Sequence, residues 1–135
     1  MRKDNVLGII GGLGPMATTH FMELVKDMTA AGWRKRDIKM TVYDFPSIPD
    51  HTGFILGRNL KSPLPGLLSA GNALSRQKVG CIAIPCMTAH YFYNELSGAI
   101  DTPILNGLEE TAQYLHQRDI RRVGIMGTDG TILSG

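Results

Sequence analysis

Apolar positions along the chain come in short runs that alternate with stretches of helical period. Val6 to Ile10 is rich in β-branched residues and stops at Gly11-Gly12, which predicts a strand ending in a turn. Pro15 suits the first turn of a helix, where its missing N–H has no partner to lose. Phe21, Leu24, Val25 and Met28 then recur at helical spacing, so a first helix is expected over 15–30. Lys39 to Tyr43 predicts a second strand with Asp44 at its carboxyl end. Residues 45–62 hold Pro46, Pro49, Gly53 and Gly57, a long connection of the kind that often carries function. A helix is expected over Pro65–Arg76, with Leu64, Leu67, Leu68 and Leu74 on one side, and an uninterrupted apolar strand over Gly80–Pro85. A short helix over Tyr91–Leu96 and a brief strand over Pro103–Leu105 follow. A helix over Leu108–Gln117 opens with Glu109 and Glu110, which complement its positive end. Val123–Met126 reads as a fifth strand.

Strands alternating with helices imply a parallel sheet covered on both faces, with right-handed crossovers and ligands at the carboxyl ends of the strands. Gly11 to Gly14, Asp44, Cys86 to Thr88 and Thr128 lie at such ends. The last segment, Gly127 to Gly135, offers Thr128 or Thr131 as a helix cap, yet no helix is expected after them. A strand-to-helix turn that leads nowhere predicts one α/β domain over 1–120 and the truncated start of a second over 121–135.

Composition narrows the partners. The chain's 135 residues suit one domain with a real core. A net charge of +2 gives no sign of a nucleic-acid or membrane partner, and Arg34-Lys35-Arg36, followed by Asp37, reads as a solvated loop. No run approaches the roughly 18 apolar residues of a membrane span. The charged start Met1–Asn5 and the apolar segment broken by glycines do not read as a signal peptide. Two cysteines without such a signal predict a reducing, cytoplasmic setting. His20, His51 and His116 are scattered without metal-ligand spacing, so no metal is expected.

Two loops carry candidate chemistry. Gly12-Leu13-Gly14-Pro15-Met16-Ala17 fits the dinucleotide pattern G-x-G-x-x-A. Pro15 removes one N–H from that anion site, and Asp44 stands 32 residues after Gly12, where an acid about 20 residues on is required. A tight strand-to-helix turn that admits a small carboxylate is therefore the preferred reading. Cys86 follows a buried strand and precedes a helix in Pro85-Cys86-Met87-Thr88-Ala89-His90, a position that eases ionisation of a thiol. A thiol poised between its two forms can take or return a proton. Thr88 offers a hydroxyl and backbone N–H groups to a carboxylate, and His90 can either pair with the thiolate or make a structural hydrogen bond. Cys81 lies five residues earlier inside the strand, an odd offset that turns it to the other face and into the core.

Four ordered segments resemble the aspartate/glutamate racemase family: Gly8 to Pro15, Ile48 to Gly57, Pro85 to His90, and Gly127 to Thr131. They resemble, in turn, its opening strand and loop, its substrate loop, its first cysteine motif and the start of its second domain. The resemblance implies a flavodoxin-like three-layer α/β sandwich with a parallel sheet, five strands of it in this chain, and a cleft at the ends of strands one to three. It implies a cofactor-independent amino-acid racemase, with no pyridoxal phosphate and no metal, acting on a small amino acid or dicarboxylate and dimeric when complete. One cysteine on each side of the substrate's α-carbon would exchange its proton. Cys86 would be one of them, with Leu13, Gly14, His51, Met87, Thr88, Ala89 and Thr128 binding substrate. Three departures stand out: Met87 replaces the family's usual Asn, His51 replaces the usual Arg, and the second cysteine motif is not in the chain. A thioether cannot donate to a carboxylate, and imidazole lacks the bidentate guanidinium fork. Both changes weaken recognition of a side-chain carboxylate. Further readings are a maleate isomerase or hydantoin racemase, an inactive remnant or carboxylate-binding domain, and a nucleotide-binding domain.

Overall fold

The structure is a computed structural model and describes residues 6–30, 38–45 and 47–134. Met1–Asn5, the Arg34-Lys35-Arg36 cluster and Pro46 lie outside those residues. β1 (Val6–Gly11) pairs in parallel with β2 (Lys39–Asp44) on one side and β3 (Cys81–Ala83) on the other, giving the order β2-β1-β3. The central strand is buried from Leu7 to Gly11, as expected of a near-continuous apolar run in a parallel sheet. Ile9 and Ile10 are both 0% exposed and serve opposite faces. Ile10 joins the larger core with Leu67, Leu74, Ile82 and Leu96, while Ile9 joins Leu7 and Ala83 in the smaller one.

The helices take the faces their patterns dictate, with one correction. α1 (Pro15–Ala30) lays Phe21, Met22 and Val25 on the smaller core. Leu24 and Met28, expected on that face, are 45% and 75% exposed. The buried stripe runs through 18, 21, 22 and 25, rotated from the expected one. α2 (His51–Ile55) lies within the long connection after β2. α3 (Leu64–Arg76) buries Leu67, Ala70, Gly71 and Leu74, and Leu64 and Leu68 pack beside them as expected. Each fully buried leucine contributes about 1.5–3 kcal/mol relative to an exposed one. After β3 come a 3-10 turn over Thr88–Phe92 and α4 (Tyr93–Ala99). α5 (Gly107–Gln117) is capped by Asn106, whose side chain accepts from the N–H groups of Leu108 and Glu109.

Three expectations are revised. The brief strand at 103–105 is reduced to a single parallel bridge between Ile82 and Ile104, so the described sheet has three strands, not five. Val123–Met126 forms no strand: Val123, Ile125 and Met126 are 55%, 72% and 99% exposed. A β-branched run becomes a strand only where another edge pairs with it and a face covers it, and neither is present among the described residues. A helix does follow Thr128: α6 (Asp129–Leu133) is capped by the Thr128 side chain, which accepts from the Thr131 N–H. No described helix is long and apolar enough to cross a membrane.

The chain runs from β1 outward to β2 and then crosses to β3 on β1's other side. The topological switch point, where open α/β sheets place ligands, therefore lies between the ends of β1 and β3. Ile9 stands opposite both Val42 and Ala83; β3 ends there, two residues short of the Gly11–Asp44 pair that closes β1 and β2.

Candidate active site at the carboxyl edge of the sheet

The loop after β1 is braced by Thr18. A Cβ at Gly11 would lie 2.6 Å from the Thr18 Cγ2, so only glycine lets α1 sit this close to the strand. Thr18 Oγ1 accepts from the Gly12 N–H at 3.1 Å and donates to the Gly14 carbonyl at 3.3 Å. With the Gly12 N–H engaged and Pro15 lacking one, the loop is a tight turn and not a pyrophosphate cradle. Leu13 is half-buried against the larger core, and Gly14 is exposed.

The loop after β3 places Cys86 at the switch point. Its Sγ lies 3.3 Å from Nε2 of His51, the first residue of α2. Burial pushes the Cys86 thiol above its ordinary range, opposed by the backbone N–H groups of Ala89 and Thr88, which favour thiolate. Burial pushes the His51 imidazole down, opposed by the Asp50 carboxylate. The preceding Asp50 fixes α2 by accepting from the N–H groups of Thr52 and Gly53, both at 3.1 Å. Cys81 packs on the smaller core and Cys86 on the larger, so the two thiols face opposite sides of the sheet.

His90, four residues beyond Cys86, does not meet the thiol. The Gly107 N–H donates to its Nε2 at 2.9 Å, which leaves the ring proton on Nδ1 to donate to the Cys86 carbonyl at 2.9 Å. His90 is 6% exposed and ties the cysteine loop to the start of α5, so its role is structural.

Three hydroxyls complete the edge. Thr88 Oγ1 lies 2.8 Å from Thr128 Oγ1 and 2.6 Å from Thr131 Oγ1. Gly130 lets α6 approach: a Cβ there would meet Thr88 Cγ2 at 2.9 Å and the Thr52 backbone at 3.2 Å. α6 is thereby docked on both the 3-10 turn and α2. The sequence points to Thr88 and Thr128 for the site and to Thr131 only as a cap; the i, i+3 spacing of Thr128 and Thr131 is the signal that joins them, and Thr52 carries none.

The remaining named residues divide. Ala89 is 0% exposed in the larger core, so only its backbone N–H serves the cysteine. Met87 is 41% exposed and its Sδ lies beside Gly107, turned toward the His90 side of the loop. The structure thus brings together Cys86 and His51, and separately Thr88, Thr128 and Thr131. The described residues hold no group of three His, Cys, Asp or Glu side chains able to bind a metal ion.

Residues 10–135 match the model of the Asp/Glu/hydantoin racemase family. The broad specificity amino-acid racemase RacX of Bacillus subtilis (strain 168) is 30% identical, over 96% of this chain and 57% of its own length. The solved aspartate racemase of Picrophilus torridus is 30% identical with a TM-score of 0.87, covering 97% of this chain and 55% of that one. An aspartate racemase homologue from Pyrococcus horikoshii OT3 shares the fold at a TM-score of 0.66 and 20% identity, over 84% of this chain and 50% of that one. The chain spans little more than half the length of these first two relatives.

Proposed function

We propose that this chain, which belongs to the Asp/Glu/hydantoin racemase family, carries one of the two acid/base thiols of a cofactor-independent amino-acid racemase, and that this thiol is Cys86. The observation that carries the reading is the setting of Cys86. It sits at the switch point of the sheet with an imidazole 3.3 Å away; burial raises its thiol, and the backbone N–H groups of Ala89 and Thr88 oppose that. A thiolate there can take the α-proton of an amino acid, and the resulting carbanion must be reprotonated from its other face for the centre to invert. Cys81 cannot be that second donor, since it packs on the far side of the sheet. The second thiol would belong to a second α/β unit, of which residues 121–135 would be the opening. In this reading the Thr88, Thr128 and Thr131 hydroxyls receive the α-carboxylate, and Leu13, Gly14, His51 and the backbone of Met87 and Ala89 line the same cleft. The enzyme would be cytoplasmic and dimeric. The absence of a guanidinium fork at position 51 points away from substrates with a second carboxylate.

The test is to incubate the chain with each enantiomer of alanine, aspartate and glutamate in heavy water. NMR follows loss of the α-proton signal, and chiral chromatography follows inversion. Exchange that disappears in folded Cys86→Ser is the expected result. Exchange that persists in the variant refutes the assignment, and a folded wild-type chain that exchanges none of them refutes the racemase reading for this chain.

A further inference from the structure

We propose that His51 is the proton partner of Cys86, a positioning residue whose Nε2 takes the Sγ proton when the thiolate forms and returns it to sulfur when the thiolate reverts without reacting. The inference rests on reading Cys86 as the acid/base thiol, and it gives His51 a role toward sulfur in place of the substrate-reading role that its sequence position suggests.

Both partners are seated by their backbones, from different elements. Asp50 caps α2 and so fixes where His51 starts, and α6 packs on Thr52 through Gly130. On the other side, His90 Nδ1 holds the Cys86 carbonyl. The 3.3 Å Sγ–Nε2 separation is therefore a built contact. Burial disfavours charge on each group, so the resting pair is S–H···N. Transfer breaks the S–H bond and forms N–H, leaving thiolate beside imidazolium, with no net change of charge. When the thiolate takes a substrate α-proton, that proton becomes the new S–H, and the half-buried imidazolium releases its own to solvent as it returns to the neutral form that burial favours. The titratable groups on the surrounding elements are Asp50 ahead of α2, His90 and the exposed Tyr91 on the 3-10 turn, and Asp129 at the start of α6. Asp50 favours imidazolium at His51, and His90 is committed to Cys86 O and Gly107 N.

The test reads the thiol without requiring turnover. The chain is alkylated with iodoacetamide from about pH 5 to about pH 10, and modification of Cys86 and of Cys81 is quantified separately by mass spectrometry. In the wild type, the Cys86 rate should inflect below pH 6.5, where the imidazole loses its proton. In His51→Gln that inflection should vanish, and the rate near neutrality should fall on the order of tenfold for each unit by which the apparent thiol pKa rises. Cys81, on the other face, should react alike in both. Superimposable Cys86 profiles overturn the proposal. If Cys81 also accelerates in the variant, the fold has opened and the reciprocal measurement decides. By NMR, the His51 titration midpoint must move in Cys86→Ser, and an unmoved midpoint overturns the proposal. The two readings fail separately. Lost inflection without any α-proton exchange would sink the racemase and leave the pair standing. Exchange with superimposable profiles would sink only the pair.

Discussion

Replacing Thr88 by valine should release α6 while leaving the domain folded. Thr88 is 5% exposed, and its hydroxyl contacts those of Thr128 and Thr131 at 2.8 and 2.6 Å. Valine keeps the branched shape and removes both hydrogen bonds. At a net 0.5–1.5 kcal/mol each, the loss is about 1–3 kcal/mol. That loss falls on the docking of α6, because a helix of five residues does not persist alone and the segment before it is exposed. Elements held by so few contacts open independently of the core. Native-state hydrogen exchange separates the two cases. The Ile132 amide, which donates to the Thr128 carbonyl at 3.0 Å, reports α6, and the Leu105 amide, which donates to the Ile82 carbonyl at 2.8 Å, reports the core. Ile132 should exchange about 5- to 150-fold faster in Thr88→Val, with Leu105 unchanged. Unaltered protection at Ile132 would refute the docking role of the hydroxyls. A parallel loss at Leu105 would mean that they hold the whole domain.

Two further outcomes follow from the same edge of the sheet. Stability should depend on pH in two limbs. The His51 pKa lies below its ordinary 6.5, so the unfolded chain takes up a proton before the folded one does; that contribution is complete above 6.5 and is lost as pH falls through the folded value. Cys86 lies above its ordinary 9.0, so its contribution is complete below 9.0 and is lost as pH rises through the folded value. Urea unfolding across this range should therefore show a plateau near neutrality. His51→Gln should flatten the acid limb, and Cys86→Ser should weaken the alkaline limb without abolishing it, because burial also raises Cys81. An acid limb that is identical in His51→Gln contradicts the assignment. Separately, Gly11→Ala should cost about 1–3 kcal/mol by overpacking against the buried, branched Thr18. The measurement is the urea midpoint at constant m. Adding Thr18→Ser removes the Cγ2 that the new methyl strikes and should recover part of the loss; a single variant as stable as wild type refutes the tight seat.

Elements with a period of their own were legible in the sequence. β1 and α3 could be read because each carries an apolar run or stripe that its partners then bury: Ile9 and Ile10 on two faces, Leu67 and Leu74 on one. Cys81 and Cys86 do pack on different cores, but the strand holds only Cys81–Ala83 and the chain turns before Cys86, whose N–H donates to the Ile84 carbonyl at 2.7 Å. Val123–Met126 misled because a β-branched run states a preference, whereas a strand also needs a neighbouring edge. α6 was missed because five residues hold barely more than one turn, too little to display a period. Its evidence was the cap, Thr128, and the small residue Gly130 that lets it dock.

The histidine beside the thiol is not the one nearer to it in sequence. His90 is the nearer candidate in sequence, but on a 3-10 turn its ring reaches back to the Cys86 carbonyl, just ahead of that turn, and the Gly107 N–H claims its other nitrogen. His51 is 35 residues away, on a helix of its own, so no local spacing rule could have paired it with Cys86. A topological argument was available. Asp50 is an N-cap, which makes His51 the first helical residue, and the Cα–Cβ bonds of a helix lean toward its N-terminus. A side chain there projects off the helix end, where α2 approaches the carboxyl edge of the sheet. An imidazole seated against the sulfur has Nε2 committed to the thiol. On the reading proposed above, His51 acts on the thiol and Asp50, by capping α2, sets the geometry that lets it do so.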